Sequence, residues 1–439
     1  MGSGNQRRIG VLGSALWCAL WAVAASGQAT PNAACMDCHS DRELVRDEGQ
    51  PAGSSVFVDQ GRLDASVHGG WNCVDCHATA SDDHPPDLPP ASCADCHGDA
   101  AEAFGGSLHG VALQGGDKDA PSCADCHGSH DILPSADAQS RVHPQQIPHT
   151  CAHCHASTEF IERRPLAMGQ PLEGYQQSVH YKALQAGKHG ATCTDCHEGH
   201  ALQAPGDPRS AIHPSKVPGT CGKCHGAIRD AFRESVHGRA LARNNLDAPS
   251  CADCHGEHEI RAPEDPLSRV FPAALASQSC GQCHANVALA QRYGLDPDRV
   301  ATYRQTYHGL AVQEGSVVTA NCASCHGVHN ILPSTDRQST IHPDNLQYTC
   351  GTCHEGATRQ FAAIPVHAGA GTEGNGSRWA SLLRQFYIWL IVVTLGGMLL
   401  HNGAIWVHAV VRRFRRTRAG VTYVRLNRFQ LLQHAVLVV

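Results

Sequence analysis

The chain carries eleven copies of the sequence CxxCH, and these copies use 22 of its 23 cysteines. They are Cys35/Cys38/His39, Cys73/Cys76/His77, Cys93/Cys96/His97, Cys123/Cys126/His127, Cys151/Cys154/His155, Cys193/Cys196/His197, Cys221/Cys224/His225, Cys251/Cys254/His255, Cys280/Cys283/His284, Cys322/Cys325/His326 and Cys350/Cys353/His354. In such a motif two thiols bond to the vinyl groups of one haem, and the adjacent histidine binds its iron. The sequence therefore predicts eleven covalent c-type haems and a fold built around them.

Two other uses of these cysteines are open. CxxC pairs also form four-cysteine zinc sites, and an exported chain can form disulfides. Neither explains why a histidine follows every second cysteine of the set. We therefore favour haem. Cys18, the cysteine outside the motifs, lies in an apolar segment that we expect to be removed.

Residues 1–29 are predicted to be a signal peptide, with an uncleaved N-terminal anchor as the alternative. Arg7 and Arg8 precede an apolar run over residues 9–25, and small residues follow it. In either case residues 30–380 are expected outside the cytoplasm, where c-type haem is attached. The formal net charge of -6 omits the haem propionates, so the loaded protein should be acidic, and nucleic acid is not expected as a partner.

The composition is poor in residues that build a protein core. Aromatic residues make up 5% of the chain, whereas it contains 43 glycines and 24 prolines. Such a chain buries too little apolar surface for a conventional core, and large flat haems can fill that deficit. We expect a mostly α and irregular fold, an array of short helices and loops packed around haem, with a C-terminal transmembrane helix.

The motifs form a nested repeat. The step from Cys123 to Cys151 recurs almost unchanged in the following pairs of motifs, so each two-motif unit has one template. Residues 107–225 and 226–355 are predicted to be duplicated four-haem blocks, and residues 30–106 a three-haem segment that precedes them. Repetition of this kind is typical of a quasi-linear array in which each module contacts its neighbours.

Each iron also needs a distal ligand. Methionine is scarce outside the signal peptide and the membrane segment, so ligation by two histidines is expected, and this favours low reduction potentials. A first set lies in a Ser-x-His-like segment before each unit, here named the SxH histidines: His68, His109, His180, His237 and His308. A second set follows the first motif of each unit, here named the post-motif histidines: His84, His130, His200, His258 and His329. His367 is the predicted eleventh ligand.

Other histidines fit the repeat less well. His143, His213 and His342 precede proline in three units, but Phe271 occupies that position in the fourth. The comparison between units argues against an obligatory ligand there. His149, His153 and His189 have no counterparts in the other units and are not expected to bind iron.

The composition changes after residue 380. Residues 356–385 are predicted to be a linker, with a flexible glycine-rich stretch at 369–376, and residues 386–411 a transmembrane helix. Arginines follow at once and place that end in the cytoplasm, with the haem domain in the periplasm. His401 and His408 lie on one face of the span and are candidates for a b-type haem or quinol site, although His408 also suits an interfacial position. Residues 412–439 are expected to be a basic turn and the start of a further apolar segment, as in a piece of a longer protein.

The paired units, with segments such as CADCHGSHDILP at 123–134, resemble bacterial multihaem cytochromes c that form periplasmic electron conduits. The segment from Arg428 to His434 is similar to the opening of the membrane cytochrome b subunits of formate dehydrogenases and nickel–iron hydrogenases. The combination resembles inner-membrane cytochromes of metal-respiring bacteria that join both parts. The resemblance implies menaquinol oxidation, a b haem bound by His434, and partners among periplasmic cytochromes or an outer-membrane conduit.

The expected function is electron transfer from the quinol pool of the inner membrane to periplasmic or extracellular acceptors. A terminal reductase of a small nitrogen or sulfur oxyanion is the second hypothesis, and it requires one iron with an open distal position. A filament-like cytochrome is the third, and the membrane span argues against it. No dedicated substrate site is identified in the sequence.

Overall fold

A computed structural model of the chain describes residues 31–46, 55–81, 83–85, 88–164, 171–367, 375–418, 429–430 and 433. The predicted signal peptide, Cys18, Arg428 and His434 lie outside the described residues, as does most of the glycine-rich stretch. Within the described parts the chain is helical and irregular and has no β-strand, apart from one isolated antiparallel bridge between Val45 and Ser55. The expected fold class, short helices and loops with a long C-terminal helix, is confirmed at this level.

The helices of the first half are short. They are α1 (Pro31–His39), α2 (Gln60–Ala65), α3 (Cys73–Cys76), a 3-10 turn (Cys93–Asp95), α4 (Gly98–Gly105), α5 (Leu108–Gln114), α6 (Cys123–His127), α7 (Ile147–His155), α8 (Thr158–Arg163), α9 (Pro171–Gln177), α10 (Val179–Gln185), α11 (Cys193–His197), α12 (Val217–Gly222) and α13 (Gly226–Glu234).

The second half repeats the pattern and then changes. It contains α14 (Val236–Ala242), α15 (Cys251–His255), a π-helical turn (Leu275–Ser279), α16 (Cys280–His284), α17 (Val287–Arg292), α18 (Arg299–Arg304), α19 (Tyr307–Gln313), α20 (Cys322–His326), α21 (Leu346–Gly351), α22 (Arg359–Ala362) and α23 (Asn375–Arg418). Units 1 to 5 denote the two-motif units that begin at Cys73, Cys123, Cys193, Cys251 and Cys322. The motif at Cys35 is the leading motif.

The first-motif helices are held by their own sequence. In unit 2 the carboxylate of Asp125 accepts hydrogen bonds from the amide and the hydroxyl of Ser122, both at 2.7 Å. This capping box satisfies free amides at the helix start. The same arrangement recurs with Asn72, Thr192, Ser250 and Asn321 as the caps. The third residue of these motifs therefore fixes the helix that carries two cysteines and a histidine.

In units 2 to 5 the residue after the first-motif helix has a positive φ. Gly128, Gly256 and Gly327 have φ between 77 and 88°, a region that glycine adopts without steric cost. Unit 3 has Glu198 at this position, with φ 66°. A residue with a Cβ atom costs about 1–2 kcal/mol there.

Replacing Glu198 with glycine should therefore raise the free energy of unfolding by about 1 kcal/mol, because the left-handed backbone is then unstrained. Calorimetry of the purified protein measures the change. The matched control is Gly128→Glu, which should lower stability by a similar amount. Equal stability of Glu198→Gly and the parent chain would contradict the expectation.

Few apolar side chains are buried. One buried cluster among the described residues comprises Ala276, Val300 and Tyr303, with Cys322 packed against it. The most deeply buried polar residues include Ser178 and Ser235, at 0% exposure. A chain of this length with so little buried apolar surface fits the expectation that it folds around a large non-protein body.

The long helix α23 begins before the predicted start of the span at 386 and ends beyond its predicted end at 411. The apolar segment defines only the part of the helix that can lie in lipid. The more polar residues on both sides of it are helical as well. Residues 375–385, predicted to be linker, are therefore helical. The helical segment Ser381–Arg416 is long enough and apolar enough to cross a membrane. None of its most apolar window is buried against the other described residues.

Candidate metal centres

The SxH serine and histidine belong to one local motif. Ser107, Ser178 and Ser235 cap α5, α10 and α14, and each side-chain oxygen accepts a hydrogen bond from the amide three residues on. Thr306 does the same for α19. A serine or threonine cap is worth about 1 kcal/mol, and it fixes the histidine at the second position of the helix.

The SxH histidines lie beside the histidine of the second motif in their own unit. The ring centroids are 6.1 Å apart for His68–His97, 6.1 Å for His109–His155, 6.3 Å for His180–His225, 6.2 Å for His237–His284 and 6.0 Å for His308–His354. The five predicted residues of this set are thus each brought to one motif histidine.

Each post-motif histidine pairs with the first-motif histidine of the preceding unit, or with His39 of the leading motif in the case of unit 1. The pairs are His39–His84 at 6.1 Å, His77–His130 at 6.2 Å, His127–His200 at 5.9 Å, His197–His258 at 5.9 Å and His255–His329 at 6.1 Å. In units 2 to 5 the residue with positive φ lies between the first-motif helix and the post-motif histidine. His367 pairs with His326 at 6.2 Å. It takes the position that the post-motif histidine of a following unit occupies in the other pairs.

The spacing matches the requirement of a metal held between two imidazoles. A metal–nitrogen bond is about 2 Å long and the ring centre lies about 1 Å behind that nitrogen, so two opposed rings are about 6 Å apart. Each of the eleven motif histidines has such a partner; ten of the partners belong to the two sets predicted from the repeat, and the eleventh is His367, which was predicted separately.

Two ligands alone do not make a metal site. Within the described residues, no group of three or more histidine, cysteine, aspartate or glutamate side chains is arranged to hold a metal ion. A metal held between two imidazoles would need its other ligands from a bound group, such as the four nitrogens of a porphyrin. The same observation argues against zinc ribbons in this part of the chain, because a structural zinc site needs four protein ligands.

Burial favours the neutral form of several of the paired imidazoles. Desolvation lowers the pKa of His109, His155 and His284, and it lowers the pKa of His237 to about 4 with a further contribution from His284. A neutral imidazole has a free lone pair, which is the form that binds a metal.

Backbone carbonyls orient several of the rings. The Nδ1 atoms lie 2.8 Å from the carbonyl of Val56 for His39, 2.9 Å from that of Pro85 for His84, and 2.9 Å from that of Arg299 for His367. Such a bond fixes the tautomer and leaves Nε2 free for the metal. Nothing in the sequence pointed to these carbonyls.

The cysteines form a continuous series in sequence order. The first cysteines of neighbouring motifs lie close enough to affect each other's pKa at alternate junctions: Cys35–Cys73, Cys93–Cys123, Cys151–Cys193, Cys221–Cys251 and Cys280–Cys322. At the other junctions, burial raises the pKa of the second cysteine and the next motif raises it further: Cys126 by Cys151, Cys196 by Cys221, Cys254 by Cys280 and Cys325 by Cys350. Cys76 similarly affects Cys93. Neighbouring attachment sites are therefore adjacent from Cys35 to Cys350.

The predicted attachment cysteines are not equally covered by protein. Most are partly buried, but six are exposed to solvent: Cys38, Cys76, Cys93, Cys96, Cys224 and Cys353. Five of these six are the second cysteines of their motifs: Cys38, Cys76, Cys96, Cys224 and Cys353. Protein packing alone therefore does not single them out as cofactor ligands, and their assignment rests on the CxxCH spacing. Exposure is compatible with that role, because a thioether forms at the edge of the macrocycle and the haem itself then covers the sulfur.

The described motif cysteines form no disulfide with one another. A disulfide at the five junctions where first cysteines meet would leave the second cysteines and the paired histidines without a role. The geometry thus favours attachment of haem over disulfides, although the cofactor itself remains a prediction.

The histidines that precede proline have a different role. The ring nitrogens Nδ1 of His143, His213 and His342 accept hydrogen bonds from the amides two residues on, at 3.3, 3.4 and 3.2 Å. They cap a turn, and none of them is paired with a motif histidine among the ring contacts of the described chain. His149, His153 and His189 are exposed. These placements agree with the interpretation that neither group binds iron.

A backbone contact joins each unit to the next. The amides of Val67, Leu108, Val179 and Val236 donate to the carbonyls of Ile132, Leu202, Ile260 and Ile331, at 2.8 to 2.9 Å. The predicted boundary at 225/226 falls between units 3 and 4, where this contact and the histidine crossing both occur. The two four-haem blocks are therefore a sequence repetition that runs through one continuous series of contacts.

No family model matches the chain, and no curated protein or solved structure is significantly similar to it.

Proposed function

We propose that the protein is a multihaem c-type cytochrome that transfers electrons along a continuous series of eleven haem sites. The observation that carries this proposal is the one-to-one pairing of eleven motif histidines with eleven other histidines at 5.9–6.3 Å. When bound, haem c supplies an iron that alternates between ferric and ferrous states at a potential set by its axial ligands.

The chain's residues have three parts in this function. The paired cysteines would hold each haem covalently, the histidine pairs would supply two ligands to its iron, and the alternating cysteine contacts would keep neighbouring sites adjacent. Ligation by two histidines favours low potentials. This suits a protein that accepts electrons from a low-potential donor.

We further propose that α23 anchors the array in the bacterial inner membrane, with the haem domain in the periplasm. Arg412, Arg413, Arg415 and Arg416 follow the apolar part of the helix and favour the cytoplasmic side. Electrons would enter from the quinone pool and leave to periplasmic cytochromes or an outer-membrane conduit. The resemblance to fusion cytochromes of metal-respiring bacteria supports this direction, with menaquinol as donor and a b-type haem in the membrane part.

A terminal reductase of a small nitrogen or sulfur oxyanion is the alternative. Such an enzyme needs an iron with an open distal position for its substrate. The complete pairing of motif histidines in the described chain argues against it, because each iron would then carry two protein ligands.

Intact-mass spectrometry of the denatured protein is expected to show eleven covalent haem additions, one per CxxCH motif. Fewer additions would remove the corresponding sites from the proposal. On the reduced native protein, carbon monoxide should leave the spectrum unchanged, because every iron has two histidine ligands. A shift in one haem would instead favour the reductase.

A further inference from the structure

The eleven histidine pairs differ in the angle between their two ring planes. The five SxH histidines are tilted by 40–64° against their partners. Four post-motif histidines lie nearly parallel to theirs, at 13–17°: His39–His84, His127–His200, His197–His258 and His255–His329. The fifth post-motif pair, His77–His130, has an angle of 35°. The angle between the planes therefore follows the chain position of the distal histidine.

A difference in backbone accompanies the difference in angle. Four SxH histidines occupy the second position of a helix that begins at a serine or threonine cap: His109, His180, His237 and His308. The post-motif histidines lie instead in irregular backbone beyond the end of the first-motif helix. Because the backbone limits the rotamers that a side chain can adopt, the two settings present the imidazole to its partner in different orientations.

The two orientations alternate along the chain and then stop alternating. In each of units 1 to 4 the angle is smaller at the first-motif histidine than at the second-motif histidine. In unit 5 the angle is 54° at His326 and 45° at His354. The partner of His326 is His367, which is not a post-motif residue and whose Nδ1 lies 2.9 Å from the carbonyl of Arg299. Unit 5 thus has two tilted pairs.

The angle matters for an iron that is held between the two rings. Each imidazole donates π electrons to the iron d orbital that lies at right angles to the plane of its ring. Parallel rings raise the energy of the same orbital, whereas rings at a wide angle raise two orbitals toward the same energy. In a low-spin ferric iron with two histidine ligands, the largest g value increases as those two orbitals become equal in energy.

We propose that the array contains two electronic classes of iron site, and that the chain position of the distal histidine sets the class. Post-motif histidines give near-parallel sites, whereas SxH histidines and His367 give tilted sites. The classes alternate through units 1 to 4, and unit 5 has two tilted sites. This inference rests on the haem attachment of the proposed function, but not on the membrane anchor, the electron donor or the direction of electron flow.

Electron paramagnetic resonance of the frozen ferric protein tests for the two classes. The near-parallel sites should give rhombic low-spin signals with well-resolved g values. The most tilted sites should give features at lower field, because their largest g value is higher; these are His68–His97 at 64° and His237–His284 at 59°. One class of signal from all the low-spin irons would overturn the inference.

Two substitutions in unit 4 assign the signals. His258→Ala removes the distal ligand of a near-parallel site, at 13°, and His237→Ala removes that of a tilted site, at 59°. The first variant should lose one rhombic signal and keep the low-field features, and the second should show the reverse. His68→Ala repeats the second test at another place in the array. Loss of a rhombic signal in both His237→Ala and His68→Ala would refute the assignment of classes.

Intact-mass spectrometry of the same samples separates this inference from the proposed function. Eleven haem additions together with a single class of low-spin signal would overturn the two classes and leave the proposed function intact. A chain without covalent haem would overturn both.

Discussion

Replacing His258 with alanine is expected to open the iron bound by His197 in unit 3, although His258 lies three residues from the motif histidine His255 of unit 4. The rings of His258 and His197 are 5.9 Å apart and nearly parallel, at 13°. His255 has its own partner in His329, at 6.1 Å. The reduced variant should therefore bind one carbon monoxide per chain, because one iron loses its distal ligand.

Combining substitutions identifies which iron is opened. In His197→Ala/His258→Ala a single iron should be perturbed, since both residues belong to one site. In His255→Ala/His258→Ala two irons should be perturbed. Electron paramagnetic resonance of the ferric protein counts the low-spin irons that remain. Two perturbed irons in the first variant would refute the crossing.

A matched control comes from the repeat itself. His213→Phe copies Phe271 of unit 4, so no iron should change its coordination. His237→Ala, in contrast, should open the iron of His284 within the same unit, because those rings are 6.2 Å apart.

A menaquinol analogue is expected to reduce the c-type haems of the protein in membranes, and His401→Leu should abolish that reduction. His401 lies well inside the apolar segment of α23, where an ionisable side chain is costly and is usually functional. Stopped-flow absorbance of the haems measures the rate. Reduction by dithionite should be unchanged, because it does not require the membrane site.

His408 provides the control for this prediction. It lies one turn before Arg412, near the basic end of the helix, where an interfacial position costs little. His408→Leu should retain most of the quinol-dependent rate. An unchanged rate in His401→Leu would mean that α23 is a tether and that electrons enter the array elsewhere.

Repetition made the histidine set predictable. The SxH and post-motif positions recur in fixed places, so the sequence indicated which residues are candidate iron ligands. It also argued against an obligatory ligand at His213, whose counterpart in unit 4 is Phe271. The structure adds that the predicted residues occur in pairs at the required spacing. It also adds that the cysteines differ in exposure, from the partly buried Cys151 to the exposed Cys353, which the uniform motif could not indicate.

The sequence repeat could not show which distal histidine pairs with which motif histidine. A periodic pattern gives the same position in every unit, and it does not distinguish a contact within a unit from one between units. In units 2 to 5 a residue with positive φ, such as Gly128 or Glu198, lies between the motif histidine and the post-motif histidine, and the latter pairs with the preceding unit. The role of Asp125 as a helix cap was readable from its recurrence, whereas the start of α23 at Asn375 was hidden because hydropathy does not mark helix ends.

In the proposed haem array, the crossing of ligands would also set the order in which the sites are completed. A chain that emerges from its N-terminus would complete each first-motif site only after the next unit had supplied its histidine. A product that stopped at a unit boundary would therefore carry one five-coordinate iron, open to reaction with oxygen. The site of His326 is the last to be completed, by His367, a few residues before the helix that would enter the membrane. Completion of the array would then coincide with its anchoring, and an incomplete copy would be released before it could draw electrons from the membrane.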